Sequence, residues 1–144
     1  MILEEPETVK WQRVLVLLSC ALALAACSNT PVLTGIDSLV RDNFAALDGQ
    51  RIALLTNHTG VDRASVSSIR HLHTAKNVEL VRIFSPEHGI AGQLDVENIA
   101  DSVDAETGVP VFSLYGATRR PTAAMLEGID AIVFDIQDIG TRYY

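Results

Sequence analysis

The apolar positions of this chain fall in short blocks whose spacing alternates between helical and extended. Val14 to Ala26 is a nearly unbroken run of Val, Leu, Ala, Ser and Cys. After it, Ile36, Leu39, Val40, Phe44 and Leu47 recur at helical intervals behind Thr34 or Asp37 as a cap, and Gly49 closes the element. Arg51–Thr56 reads as a first buried strand, left through the loop Asn57–Asp62. Ser65–Ala75 predicts a helix with Val66, Ile69 and Leu72, joined by His73, on its inner face. Val78–Phe84 is a second strand that stops before Pro86. Asp95–Gly108 is acidic and weakly periodic, a long excursion with at most one helical turn. Pro110–Tyr115 is a third short strand, and Thr122–Leu126 a short helix with Pro121 as its first residue and Gly128 just beyond its end. Ala131–Ile136 is a fourth strand, apolar enough to suit a sheet covered on both faces.

Strands alternating with helical segments imply a parallel sheet with crossover helices, hence an α/β class of doubly wound architecture. The chain stops at Gln137–Tyr144, just past a strand end. Nothing after that strand turns back to cover it, so the sheet reads as truncated after about four strands and the chain as a piece of a larger protein.

Composition narrows the class. The 144 residues are 48% hydrophobic and 20% charged, which excludes a disordered chain and allows one modest core. The net charge of -7, with Arg119-Arg120 the only basic pair, argues against nucleic acid as a partner, because phosphate binding needs a concentrated basic face. Both cysteines, Cys20 and Cys27, lie in or beside the first apolar run. At ~1.5 Å per residue that run covers roughly 20 Å, short of a ~30 Å hydrocarbon core, so it reads as a secretory signal peptide behind Lys10 and Arg13. Leu24-Ala25-Ala26-Cys27 resembles a bacterial lipobox, which implies cleavage before Cys27 and lipidation of its thiol. Glu4, Glu5 and Glu7 depart from a basic leader and are explained by a start site placed too far upstream. An uncleaved anchor helix is the other reading, and both put the rest of the chain outside the cytoplasm. The organisation expected is therefore a lipoprotein signal peptide at 1–27, a linker at 28–34 and an incomplete α/β domain at 35–144.

Four strand ends deliver polar clusters to one edge of the expected sheet: Thr56-Asn57-His58, Pro86-Glu87-His88, Tyr115-Gly116 with Arg119, and Asp135 to Asp138 with Gln137. Ligands of open α/β sheets gather outside the carboxyl ends of the strands. A crevice lined by these donors and acceptors, with Tyr115 as an apolar face, suits a polyhydroxylated ligand. Glu87 is the candidate general acid, with Asp135 or Asp138 as its carboxylate partner. Glycoside hydrolysis uses carboxyls ~5–5.5 Å apart for retention and ~6.5–9.5 Å for inversion. Strand ends two or three places apart in the sheet lie roughly 10 to 14 Å apart, which disfavours a close nucleophile pair. His58, His71, His73 and His88 show no metal-binding spacing; His71 and His73 are expected on opposite sides of a solvated helix end, and no metal is expected. The loop after the first strand lacks the closely spaced glycines that a pyrophosphate requires, and no cofactor is expected.

Five blocks in order, Leu54–Asp62, Phe84–Ile90, Ser113–Gly116, Arg120–Thr122 and Phe134–Gly140, resemble the NamZ-like exo-β-N-acetylmuramidases. That resemblance implies a Rossmann-like domain followed by a smaller C-terminal one, on an exported or lipid-anchored bacterial glycosidase. It implies release of N-acetylmuramic acid from the non-reducing ends of peptidoglycan fragments. It further implies that Glu87 is the catalytic acid, that His88 supports it, and that Asn57, Tyr115, Asp135, Gln137 and Asp138 line the sugar site; His58 and Arg119 join them as substrate-binding candidates. The expected partners are a peptidoglycan-derived sugar and, through the lipid on Cys27, the envelope membrane, with the domain facing the periplasm. The alternative is a non-catalytic envelope lipoprotein that binds muropeptides in the same crevice. A metal-dependent hydrolase is the third reading. An intact second domain being absent, the fragment itself is expected to be inactive.

Overall fold

A computed structural model describes residues 11–13, 32–86, 88–92 and 99–136. The chain divides into two units, 1–32 and 33–144. Of the first, residues 11–13 are helical, and the rest of the expected signal peptide, Leu24–Cys27 included, lies outside the described residues.

Helix α1 (Gly35–Arg41) begins at a capping box: the Thr34 hydroxyl accepts from the Asp37 amide, and the Asp37 carboxylate accepts from the Thr34 amide. It ends earlier than its periodicity suggests. Asn43 and Phe44 take left-handed backbone (φ 50° and 55°), and a single 3-10 turn, Ala45–Leu47, follows. Phe44 still reaches the core, at 7% exposure. Strand β1 (Arg51–Thr56) comes next, then helix α2 (Ser68–Thr74), strand β2 (Glu79–Ser85), the two-residue strand β3 (Ser102–Val103), strand β4 (Pro110–Ser113), helix α3 (Ala123–Leu126) and strand β5 (Ala131–Asp135).

These strands form a five-stranded sheet of order β3-β4-β2-β1-β5. β1 is parallel to β2 and β5, and β2 to β4; β3 runs antiparallel on the edge of β4. The sheet is mostly parallel and Rossmann-like, as expected, but the Asp95–Gly108 excursion contributes a strand that sequence reading had missed. The pair is short and its two residues are exposed, so no apolar alternation marks it.

The core lies on the face covered by α1 and α2, where Ile36, Phe44 and Leu72 meet Ile52, Leu54, Leu80, Ile83 and Val111. Each fully buried aliphatic side chain there contributes ~1.5–3 kcal/mol over its exposed state. Leu80 and Ile83 share this face although they are three residues apart. A bulge explains it: Ile52 pairs with Leu80 but Ala53 with Arg82, so Val81 is an extra residue that resets the alternation. On the opposite face Phe84 is buried against Phe112, and Arg82 donates to the carbonyls of Met125 and Glu127, tying the C-terminal end of α3 to the sheet.

Four local expectations are corrected. α2 starts at Ser68, because Ser67 caps it and Val61 bridges Ser67. His73 is exposed rather than inward, while His71 is largely buried and bonded to Asp62, not solvated. Pro121 is not the first residue of α3: Thr122 is its N-cap, its hydroxyl accepting from the Met125 amide. Apart from these corrections, Ile132 and Phe134 of β5 lie on the face opposite the core of Ile52 and Leu54 and are 48% and 63% exposed.

Candidate active site

All four parallel strands send their carboxyl ends to the same edge, so Thr56, Asn57, His58, Pro86, His88, Tyr115 and Asp135, the described strand-end members of the four polar clusters, emerge on one side of the sheet. From β1 the order steps to β2 and β4 on one side and to β5 on the other. The reversal opens between β1 and β5, where open α/β sheets bind ligands. Asn57 and His58 follow β1 there, and Asp135 is the last residue of β5, paired in register with Thr56.

A feature not anticipated is the last residue of each parallel strand: Thr56, Ser85, Ser113 and Asp135. Thr56, Ser85 and Ser113 are buried, at 0%, 2% and 5% exposure. A buried hydroxyl must find a partner. Thr56 Oγ1 donates to the Asp135 carbonyl at 2.6 Å, and Ser113 Oγ accepts from the Tyr115 amide at 3.1 Å. Both bonds steer the chain as it leaves the sheet. In the sequence the signal was a hydroxyl or acid closing an apolar run, four times over.

Asn57 is buried, and its Oδ1 accepts from the amide and hydroxyl of Thr59 at 2.9 and 2.7 Å. Among the described residues its Nδ2 has no hydrogen-bond partner. This Asx turn holds His58 outward, where its ring lies over Gly92: a Cβ on that glycine would stand 2.1 Å from His58 Nδ1. The loop after β1 is thereby packed against the loop after β2. Within the latter, His88 is half-buried and adopts φ 117°, followed by Gly89 at φ 77°. Left-handed backbone at a residue with a Cβ costs ~1–3 kcal/mol and marks a position held by its surroundings. Glu87, between Pro86 and His88, lies outside the described residues, as do Gln137 and Asp138.

β4 ends at Ser113, two residues sooner than expected: the Leu114 amide still donates to the Ser85 carbonyl, but the Tyr115 amide turns back to Ser113 Oγ. Asp101 accepts from the Ser113 amide at 2.8 Å, and the Ile99 amide donates to the Tyr115 carbonyl at 2.9 Å. Segment 99–101 is thus clasped to the exit of β4. The Arg119 guanidinium sits 4.2 Å from the centre of the Tyr115 ring, so these two candidates do meet, as a cation–π pair. Ser85, His88, Ile90, Ile99, Asp101 and Ser113 border a cleft of about 410 Å³ between the ends of β2 and β4. Among the described residues no three His, Cys, Asp or Glu side chains gather as metal ligands.

The family model for the N-terminal part of the exo-beta-N-acetylmuramidase NamZ matches residues 52–144, from β1 onward. The chain belongs to the NamZ family. The peptidoglycan beta-N-acetylmuramidase NamZ of Bacillus subtilis (strain 168) is 45% identical over 114 residues, which are 78% of this chain and 28% of that relative. Two crystal structures of DUF1343 family proteins from Bacteroides fragilis NCTC 9343 share the fold. One is 49% identical with a TM-score of 0.69, covering 78% of this chain and 28% of its own. The other is 33% identical with a TM-score of 0.59, covering 80% and 28%. The chain therefore spans a little over a quarter of the length of these relatives.

Proposed function

We propose that this chain is the N-terminal part of an exported, lipid-anchored exo-β-N-acetylmuramidase that releases N-acetylmuramic acid from peptidoglycan fragments. The observation that carries the reading is the meeting of the strand-end loops: His58 packed over Gly92 brings the exit of β1 against the loop that contains Glu87 and the strained His88. Membership of the NamZ family and the name of the Bacillus relative support the chemistry and the sugar.

In this reading Glu87 protonates the glycosidic oxygen as it leaves, and His88 holds it in place. Asn57, His58, Gln137 and Asp138 supply directed hydrogen bonds to the sugar, and the Tyr115–Arg119 pair forms one wall. Of the proposed site residues that are described, His88 alone borders the cleft of about 410 Å³, which lies between β2 and β4 and falls within the ~300–1,000 Å³ range of small-ligand sites. β2 and β5 are separated only by β1, so the exits carrying Glu87 and Asp135 are ~10 Å apart between strand axes. That spacing favours Asp135 as a sugar-hydroxyl acceptor or water-activating base over a nucleophile in contact with the anomeric carbon.

The test is Glu87→Gln in the full-length protein, assayed on a chromogenic N-acetylmuramide. Loss of a general acid lowers kcat by ~10²–10⁴-fold. Activity within about tenfold of wild type would overturn the assignment, since general acid catalysis contributes at least ~10²-fold. For the anchor, Cys27→Ala should abolish incorporation of labelled palmitate and release the protein from the membrane fraction; unchanged labelling would refute lipidation at Cys27.

A further inference from the structure

Ser68 was not among the candidate residues, yet it is fully buried at the first position of α2 and its hydroxyl donates to Asp135 Oδ2. The same carboxylate is restrained from behind. The Asp135 carbonyl accepts from Thr56 Oγ1 at 2.6 Å, and the Ser68 amide donates to the Gly60 carbonyl at 2.9 Å. Gly60 approaches so closely that a Cβ there would lie 2.1 Å from Thr56 Oγ1 and 2.9 Å from the Asp135 carbonyl. Four residues from three separate elements and one loop therefore interlock where the strand order reverses. Asp135 is half-buried, so its carboxylate has little choice of rotamer once Oδ2 is engaged.

We infer that Ser68 is a positioning residue: it engages Asp135 Oδ2 and so dedicates Oδ1 to the ligand in the crevice between β1 and β5, as acceptor for a sugar hydroxyl. This rests on the proposed muramidase reading for the identity of the ligand. The physical reason is the stoichiometry of acceptors. A carboxylate free on both oxygens swings about its terminal torsion, which is broad and roughly two-fold, and presents either oxygen. One oxygen fixed by a buried donor leaves a single, oriented acceptor, and orientation is what a hydroxyl-recognising site requires.

The experiment uses the full-length protein and four forms: wild type, Ser68→Ala, Asp135→Asn and the double variant, with Ser68→Thr as the conservative control. The readouts are kcat and KM on a chromogenic N-acetylmuramide and Kd for N-acetylmuramic acid by calorimetry, each below the melting temperature of the variant. Loss of a hydrogen bond to a charged group corresponds to ~10-fold or more in affinity. Ser68→Ala is expected to raise KM and Kd about tenfold with kcat changed less than about threefold, and Ser68→Thr to restore most of the loss. In the Asp135→Asn background the Ser68→Ala effect should shrink to under about twofold, because Ser68 acts through that carboxylate. Equal Ser68→Ala effects in both backgrounds would overturn the inference, as would unchanged KM and Kd. If wild type binds N-acetylmuramic acid without hydrolysing the chromogenic sugar, the muramidase reading fails while the Kd cycle still decides the role of Ser68. If wild type does neither, both fail.

Discussion

Gly60→Ala adds one methyl group at the most crowded point of the strand-end interlock. The new Cβ would lie 2.1 Å from Thr56 Oγ1, 2.9 Å from the Asp135 carbonyl and 3.4 Å from the Asn57 carbonyl. Gly60 does not have positive φ, so the backbone would accept alanine and the effect is purely steric. Thr56 is fully buried, and its hydroxyl cannot retreat without giving up the 2.6 Å bond to Asp135. Overpacking of this kind costs ~1–3 kcal/mol. Leaving a buried hydroxyl and carbonyl unpaired adds ~1–3 kcal/mol. The sum of about 2 kcal/mol or more corresponds, at ~2–4 °C per kcal/mol for a protein larger than this chain, to a melting temperature lower by at least about 4 °C. Gly35→Ala is the matched control: no atom lies within 4 Å of its Cβ position, its φ is not positive, and it opens α1. That variant should be neutral or more stable by up to about 1 kcal/mol. Both are read by thermal melting of the full-length protein. A further check is Thr56→Ala with Gly60→Ala, which should be destabilised by less than the sum of the single changes. A Gly60→Ala melting temperature within about 2 °C of wild type would refute the close packing at the β1–β5 exit, since the overpacking and the lost bond predict a drop of about 4 °C or more.

Two further outcomes follow from the same geometry. Asp62 accepts from the Val66 and Ala64 amides and from His71, and these bonds, the Val66 amide foremost, hold its carboxyl below the usual carboxylate range. A depressed folded value means that its stabilisation is complete above ~pH 4 and is lost as pH falls through the folded value. The stability gap between wild type and Asp62→Asn, followed by urea midpoints from about pH 6 down to about pH 2, should therefore narrow below about pH 4; a gap constant with pH would contradict it. Arg119→Ala removes a cation–π contact with Tyr115 worth ~0.5–1 kcal/mol at an exposed site, so KM on the muramide should rise ~2- to 5-fold with kcat unchanged, and a fall in kcat alone would count against the wall assigned to this pair.

Much of the fold was legible because it is local. β1 matches its expected span, and β2, α2 and β5 differ by one to three residues at their ends, since alternation, caps and turn glycines are properties of neighbours in sequence. What was misjudged depended on distant partners. β3 exists only because Ser102 and Val103 find Val111 and Pro110. His71 is withdrawn from solvent only because the Asp62 loop folds back onto α2. Ser68 escaped notice because its partner lies 67 residues away and nothing in Ser67-Ser68-Ile69 distinguishes a core hydroxyl from a cap. Conversely, Tyr115 and Arg119 were close in sequence and were brought together as expected.

The sequence by itself determined the alternation of strands and helices, the parallel sense that this implies, and therefore that Asn57, His58, His88, Tyr115 and Asp135 would emerge on one edge. Only the tertiary structure decided that β5 adds beside β1 rather than beyond β4, because strand neighbourhood is chosen by which apolar faces pack and not by chain order. That choice puts the reversal of strand order between Thr56 and Asp135, lays His58 over Gly92, and sets the Ser68 hydroxyl against the Asp135 carboxylate. Residue types were written along the chain; which of them share hydrogen bonds was a matter of long-range packing.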